Sequence, residues 1–147
     1  MRKLVIDRAA IKNNLTVIKD RAAGAAIYGV LTGDGQGVGA AALAQLLRDE
    51  GIGRFAVSEV SEAEALRQAG FVDEEILMLR ATTDREELER LVDLNVVCTV
   101  SSVDTGMALN ALAGNRSTVA EAHIQVDTGM GFGGFLVSEP EKLLLAY

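Results

Sequence analysis

The chain of 147 residues carries a formal net charge of −7 and contains one cysteine and one histidine. This length predicts a single domain, residues 1–147, that buries a core without disulfide or metal support. The acidic balance opposes binding to nucleic acid or to anionic membranes, and the longest apolar run, 22–31, is too short to span a bilayer. Cys98 has no partner for a disulfide, so we expect a buried thiol in a protein of the reducing cytoplasm.

From the amino terminus onward, helical and strand patterns alternate along the chain. Capped segments with apolar residues three and four positions apart predict helices, and short apolar runs between turn residues predict strands. The predicted helices are residues 7–21, 40–50, 61–69, 83–93, 104–113 and 138–147. The predicted strands are residues 26–31, 54–58, 76–79, 96–100 and 120–126. The order is α(βα)₅, with the last helix cut short at Tyr147.

Strands that alternate with helices predict an α/β fold with a parallel sheet and right-handed crossovers. Two architectures satisfy this order, an open doubly wound sheet and a segment of a (βα)₈ TIM barrel, and hydrophobic periodicity does not choose between them. A closed barrel of this type needs eight strands. In barrel order, the predicted strands therefore form an incomplete barrel, with two open edges and an exposed apolar inner face.

Glycines alternate with other residues between the first predicted strand and the next helix, at Gly33, Gly35 and Gly37. The simplest interpretation is a tight turn with residues at positive φ, where glycine costs least. A second interpretation is a Rossmann-type dinucleotide-binding turn. The run from Gly35 through Gly37 to Ala40 matches G-x-G-x-x-A, and Glu59 follows the next strand, where a ribose-binding acid belongs.

A third interpretation uses longer segments. Residues 28–39, YGVLTGDGQGVG, resemble the first barrel strand and loop of the alanine racemases, V-K-[AG]-[DN]-[AG]-Y-G-x-G. Residues 55–70 resemble the second strand and helix of that family, F-A-V…E-A…L-R-x-A-G, and residues 76–79 resemble its third strand. Residues 123–135, HIQVDTGMGFGGF, resemble its fifth strand and loop, K-[VM]-D-T-G-M-G-R-x-G-F, in which D-T-G-M-G is the most specific run. Nearly the whole chain thus resembles the N-terminal domain of the alanine racemases, barrel enzymes that use pyridoxal phosphate (PLP).

The resemblance implies four site positions, and each has lost the reactive or charged group of the family. Thr32 stands where the family has the lysine that forms a Schiff base with PLP, and Gln36 where it has a tyrosine beside the phosphate. Gln125 replaces a lysine that is often carbamylated, and Phe132 replaces an arginine that approaches the cofactor ring. Because a threonine hydroxyl cannot form an imine, we expect this chain to bind no PLP. The positions left to contact a phosphate are the amino end of the next helix and the loop glycines Gly33, Gly35 and Gly37.

The other polar candidates have simpler structural explanations. His123 lies in a predicted strand, where a packed core side chain is a better interpretation than a catalytic base. Asp34 and Asp127 follow strands and are either active-site acids or, as we favour, caps of turns and helices. Arg80 follows the third strand and is expected to line the same opening. One histidine and one cysteine in separate strands predict no metal site.

Three functions fit these observations. The first is a catalytically inactive racemase-like domain, a fragment or pseudoenzyme whose role is binding or assembly. The second is a PLP-dependent amino-acid racemase that works only when completed by the missing barrel half and a C-terminal domain. The third is a Rossmann-type dinucleotide-binding domain. In the first two, the open barrel predicts a homo-oligomer or a complex with a complementary barrel segment.

Overall fold

The computed structural model describes residues 4–146, in which strands and helices alternate. The helical segments are α1 (Arg8–Ala22), α2 (Thr32–Gly37), α3 (Ala40–Asp49), α4 (Val60–Gln68), α5 (Arg85–Asp93), α6 (Val103–Arg116) and α7 (Pro140–Ala146). The strands are β1 (Gly29–Val30), β2 (Arg54–Val57), β3 (Glu75–Met78), β4 (Cys98–Val100), β5 (Ala122–Ile124), β6 (Val126–Asp127) and β7 (Phe135–Leu136). The predicted α/β class with parallel strands is confirmed, and the predicted end of the last helix, Tyr147, lies outside the described residues.

The first five strands lie side by side in the order of the sequence. β1, β2 and β3 form one parallel ladder, and β4 pairs with β5 in a second. The two ladders meet where the amide of Met78 donates to Val97 (2.9 Å) and the amide of Val97 donates to Ile76 (2.8 Å). A doubly wound sheet reverses its strand order at a switch point, whereas barrel strands follow one another. The observed order therefore favours the barrel arrangement over the doubly wound sheet.

The predicted strand 120–126 is divided at Gln125, and two short strands, β6 and β7, were not predicted. The amide of Gln125 donates to Val100 (2.9 Å), whereas its carbonyl accepts from Phe135 (2.8 Å), so the chain changes partners at this residue. Gly134 permits the second contact, because a Cβ at this position would lie 2.8 Å from the Gln125 carbonyl oxygen. The pairing depends on one close backbone approach, which alternating hydrophobicity does not reveal.

The main core lies between the sheet and the helices. Phe55 and Ile76, on β2 and β3, are fully buried there together with Leu66 and Leu91 from the helices. Phe55 packs edge to face against Phe71, with ring centroids 5.7 Å apart. Burial of this kind removes the large apolar side chains from water and supplies most of the stabilisation of the fold.

A second, smaller cluster occupies the opposite face of the sheet. It contains Ala56, Leu77 and Val97, which are almost completely buried, with Tyr28 packed against them. The expectation of an exposed apolar inner face is therefore wrong for the middle of the sheet, because the side chains of neighbouring strands cover one another. The inner face is exposed nearer the carboxyl ends of the strands, where Val30 and Leu79 remain 48% and 42% exposed. Apolar side chains on both faces also explain why hydrophobic periodicity alone did not assign the architecture.

Helix starts follow local capping chemistry. Asp7 caps α1 by accepting hydrogen bonds from the amides of Ala9 and Ala10, as predicted. The cap of α4 is Glu59, two residues before the predicted helix 61–69 begins, and its partner in the capping box is Glu62. No helix within residues 4–146 is long and apolar enough to cross a membrane.

Candidate functional site

A cavity of about 510 Å³ opens at the carboxyl ends of the strands. Its lining residues are Ser58, Leu79, Arg80, Ala81, Ser101, Gln125, Phe132 and Gly133. Two of the predicted site residues, Gln125 and Phe132, thus lie at one opening, together with Arg80. Thr32 and Gln36 are not among the lining residues, so the four predicted positions do not converge on this cavity.

Arg80 is the cation of this cavity, and its charge is already compensated. Its guanidinium donates to the Glu87 carboxylate (2.8 and 3.1 Å), to Glu59 (3.3 Å) and to the carbonyl of Ser58 (3.3 Å). The hydrogen bonds to Glu87 are the largest cause that raises the pKa of Arg80 above its ordinary value. A ligand anion would have to displace these carboxylates, so Arg80 is poorly placed to bind one.

The glycine-rich segment α2 is one turn of left-handed helix. Gly33, Asp34, Gly35 and Gln36 have φ values of 63°, 54°, 63° and 56° with ψ between 38° and 48°. L-residues pay about 1–2 kcal/mol each in this conformation, which explains why glycine occupies alternate positions. Thr32 begins the turn and is half-buried, whereas Gln36 is exposed at its far end.

Hydrogen bonds within the protein use the amides of this turn. Gly33 and Asp34 donate to the same carboxylate oxygen of Glu62, at 2.6 and 3.4 Å. The amide of Gly35 donates to the carbonyl of Leu31 at 2.8 Å. A phosphate-binding loop presents such groups to its ligand, but here they already have partners inside the chain.

An acidic side chain occupies the amino end of α3. Asp34 Oδ1 accepts a hydrogen bond from the amide of Ala40 (2.8 Å), where a bound phosphate would meet the helix dipole. Glu59, the expected ribose-binding acid, is paired with Arg80. The structure therefore does not support the dinucleotide-binding interpretation of Gly35, Gly37 and Ala40. The expected phosphate contact at this helix stays a prediction, and a bound phosphate would have to displace the Asp34 carboxylate that lies there.

Glu62 connects the turn to the neighbouring strand, although the sequence did not predict it as a site residue. One carboxylate oxygen accepts from Gly33 and Asp34, and the other accepts from the amides of Ser58 (2.9 Å) and Glu59 (3.1 Å) and from the Ser58 hydroxyl (3.3 Å). Burial alone would raise the pKa of Glu62, but the four backbone amides outweigh it and hold this pKa below its ordinary value. A second glutamate three residues after Glu59 was the available sequence signal.

The second acidic candidate, Asp127, also has a structural role. Its Oδ1 accepts from the amides of Gly129 (2.8 Å) and Gly131 (3.1 Å), which folds the loop that follows β6. The hydrogen bond from Gly129 is the largest cause that holds the pKa of Asp127 below its ordinary value, and the bond from Gly131 acts in the same direction. The loop carries Phe132 outward, with 85% of its surface exposed at the rim of the cavity.

His123 does not belong to the core, contrary to the preferred interpretation of the sequence. It lies on β5 and is exposed, with its ring edge-on to Tyr28 at a centroid distance of 6.2 Å. The ladder explains this exposure, because β5 pairs with β4 and meets no further strand of the described sheet on its other side. Within the described part of the chain, no three metal-ligating side chains come together.

The residues of this region do not fit PLP. Thr32 supplies no amine, the amides of Gly33 and Asp34 donate to Glu62, and the first amide of α3 donates to Asp34. Among residues 4–146, every buried side-chain nitrogen and oxygen has a hydrogen-bond partner, so no buried polar group awaits a ligand.

Parallel strands in sequence order, with a cavity at their carboxyl ends, are typical of the class of βα-barrel domains. The family model described as "Alanine racemase, N-terminal domain" matches residues 6–146, and the chain therefore belongs to this family. The resemblance seen in the sequence is confirmed.

Individual relatives agree with this assignment. The alanine racemase of Clostridium tetani is 35% identical over 137 residues, which cover 93% of this chain and 34% of that protein. The solved alanine racemase from E. faecalis superposes with a TM-score of 0.83 at 32% identity, covering 96% of this chain and 38% of that one. The alanine racemase from Bartonella henselae, solved with covalently bound pyridoxal phosphate, gives a TM-score of 0.84 at 25% identity, covering 95% and 38%. The chain spans about a third of the length of the curated relative from C. tetani.

Proposed function

We propose that this chain is a racemase-like barrel domain that performs no PLP chemistry and acts through binding or assembly. The observation that carries this proposal is Thr32 at the start of the left-handed turn. The family resemblance assigns this position to a lysine, and a hydroxyl group can neither form an imine with PLP nor act as the amine base that exchanges a Cα proton.

The hydrogen bonds around Thr32 support the same conclusion. The Glu62 carboxylate accepts hydrogen bonds from the amides of Gly33 and Asp34, and the Asp34 carboxylate accepts one from the first amide of α3. The turn is thus stabilised by the protein itself and needs no cofactor phosphate to hold its shape. Replacing Thr32 by lysine would supply an amine, but it would leave these contacts, together with Gln125 and Phe132, unchanged.

The test is reaction of the full chain with PLP, reduction with borohydride and peptide mapping by mass spectrometry. The variants are Thr32→Lys, which restores the amine, and Thr32→Met, which supplies a long side chain without one. We expect the wild type and Thr32→Met to show the same low labelling, scattered over surface lysines. We also expect Thr32→Lys to show no alanine racemisation. Stoichiometric labelling of one lysine in the wild type, or racemisation by Thr32→Lys, would contradict the proposal.

A second candidate, a PLP-dependent amino-acid racemase active when completed by further barrel strands, draws support from the close superposition on solved alanine racemases. It requires another amine to replace the one absent at Thr32. Co-expression with the later part of a related racemase separates the two candidates. A borohydride-stable PLP adduct that forms only when the two parts are co-expressed favours the second candidate. The absence of an adduct favours the inactive domain.

We further propose that the domain self-associates or binds a complementary barrel segment. Within residues 4–146, β1 pairs only with β2 and β5 only with β4, which leaves a strand edge on each side. Such edges offer amides and carbonyls to another chain. Exposed apolar side chains lie nearby on the inner face, at Val30 and Leu79. Light scattering coupled to size exclusion tests this, and a stable monomer at micromolar concentration would count against it.

A further inference from the structure

The cavity at the carboxyl ends of the strands has polar lining groups that are mostly uncharged. Gln125 and Ser101 line it from the ends of β5 and β4, and Ser58 lines it from the end of β2. Of the described residues that line it, only Arg80 carries a charge. Its volume of about 510 Å³ lies within the range of small-molecule sites in proteins. The cavity is therefore large enough for a small ligand and offers it hydrogen bonds with little charge.

The side chains that line this cavity share the inner face of the sheet. Along three neighbouring strand segments, a residue of the inner cluster lies two or four positions before a residue that lines the cavity. The three pairs are Ala56 and Ser58, Leu77 and Leu79, and Val97 and Ser101. Side chains alternate between the two faces of a strand, so both members of each pair lie on the same face. On β5, Ile124 packs against the main core on the outer face, which places the neighbouring Gln125 on the inner face.

Gln125 and Ser101 have hydrogen-bonding groups that the protein does not use. The Gln125 backbone is paired with Val100 and Phe135, whereas its half-buried side-chain amide has no partner among residues 4–146 and is open to water. The Ser101 hydroxyl is likewise without a partner in the described part of the chain. The register of β4 and β5 makes Ser101 the direct neighbour of Gln125. A carboxamide supplies two donors and an acceptor, so the two side chains together can hold a neutral group that both donates and accepts.

The charges around the cavity disfavour an anion. Arg80 is bonded to the carboxylates of Glu59 and Glu87, so two acids surround the one cation. A cation finds no carboxylate among the described lining residues. Because a charged group loses more favourable hydration than a neutral one when it enters a partly apolar cavity, an uncharged ligand fits this lining best.

An apolar wall completes the cavity. Leu79 and Phe132 both line it and are exposed to water in the absence of a ligand. The loop that carries Phe132 is anchored to the same strand end, because the amide of Phe135 donates to the carbonyl of Gln125 (2.8 Å). A flat ring placed against these side chains would remove apolar surface from water and would pack against the Phe132 ring.

We propose that this cavity binds a small uncharged molecule in which an apolar ring carries a carboxamide or a similar pair of donor and acceptor. The carboxamide pairs with Gln125 and Ser101, and the ring covers the apolar side chains of Leu79 and Phe132. PLP does not match this lining, because its phosphate is anionic. The inference deepens the function proposed above, a domain that acts through binding, and it rests on the absence of PLP from that function.

The probe is benzamide, titrated into the full chain and followed by NMR shifts of the backbone amides and of the Gln125 side-chain amide. We expect saturable binding with an affinity on the order of 1 mM, which is typical for a ligand of this size. The largest shifts should occur at Ser101, Gln125 and Gly133, which line the cavity. Benzoate has the same ring and nearly the same shape but a negative charge, and it should bind at least about 10-fold more weakly.

Two variants locate the binding groups. Gln125→Leu keeps the approximate size of the side chain and should weaken benzamide binding about 10-fold, because it removes a donor and an acceptor. The matched control is Gln68→Leu at the exposed end of α4, outside the cavity lining, which should change the affinity less than about twofold. Phe132→Ala should weaken binding about threefold or more through the lost ring contact, and its exposed position makes an effect on folding small.

Any of three results would overturn the proposal. They are a wild type whose shifts do not saturate or centre elsewhere, benzoate binding as tight as that of benzamide, and a folded Gln125→Leu variant that binds benzamide like the wild type. The shift map and the comparison with benzoate decide the question even if Gln125→Leu is unstable. A PLP adduct at one lysine would instead contradict the proposed function, and the borohydride experiment detects it independently of the benzamide titration.

Discussion

Replacing Glu62 by alanine tests whether the left-handed turn depends on this carboxylate. The substitution removes an acceptor shared by Gly33 and Asp34 in the turn and by Ser58 and Glu59 after β2. We expect a large loss of stability, because several backbone amides lose their partner at once and the two segments lose their connection.

The magnitude follows from the geometry. Three of the bonds, from the amides of Gly33, Ser58 and Glu59, measure 2.6, 2.9 and 3.1 Å and are therefore ordinary or strong hydrogen bonds. At about 1 kcal/mol of net stabilisation each, Glu62→Ala should lower the free energy of unfolding by about 3 kcal/mol. Partial exposure of the site lets water replace some of these partners, so the charge of the carboxylate adds little to this figure.

Acid should remove the same stabilisation. The folded-state pKa of Glu62 lies below its ordinary value of 4.5, so its contribution is complete above that pH. The contribution is lost as the pH falls through the folded-state pKa, because protonation removes the carboxylate that the amides prefer. The gap in stability between wild type and Glu62→Ala should therefore be constant above pH 4.5 and should narrow as the pH falls below that value.

The assay is urea unfolding followed by circular dichroism, with the slope m compared between variants. The matched control is Glu64→Ala, two residues along the same helix, whose carboxylate pairs with Arg90 at the surface. This control should lose at most about 1 kcal/mol, as exposed ion pairs do. Two results would refute the reasoning. One is an equal loss of unfolding free energy in Glu62→Ala and Glu64→Ala at pH 7. The other is a stability difference between wild type and Glu62→Ala that does not change with pH.

Two further predictions concern the glycine turn and the buried thiol. Gly35→Ala should destabilise the protein more than Gly37→Ala, since a Cβ at Gly35 would lie 3.2 Å from the backbone of Ala40 whereas one at Gly37 meets no atom within 4 Å. Both variants are destabilised by about 1 kcal/mol because an alanine is strained at positive φ. The difference between their melting temperatures therefore measures the clash of the new Cβ with Ala40. Equal melting temperatures would contradict the close approach of Gly35 to Ala40. Cys98 should resist a thiol reagent at pH 8 in the folded protein, because burial raises its pKa to about 11. Full reaction should follow only in denaturant, and rapid native labelling would show that the thiol is accessible.

Much of the fold was predictable because its signals are local. Alternating helical and strand patterns gave the α/β class, and the cap at Asp7 follows from the residues around it. The division of the fifth strand at Gln125 was not predictable, because it depends on Phe135, ten positions away in the sequence, and on the close approach of Gly134. His123 was assigned to the core because a strand position alone does not show which edge of the sheet remains open.

The sequence by itself determined the family and the absence of an amine at Thr32, because both are matters of residue identity at matched positions. It also placed a glycine-rich turn after the first strand. Only the tertiary structure decided what that turn can bind. The amides of Gly33 and Asp34 donate to Glu62, and the first amide of α3 donates to Asp34. The contact between Glu62 and Gly33 joins residues 29 positions apart in the sequence. Hydrogen bonds between residues so far apart in the sequence depend on how the strands lie side by side, and a local sequence pattern does not predict them.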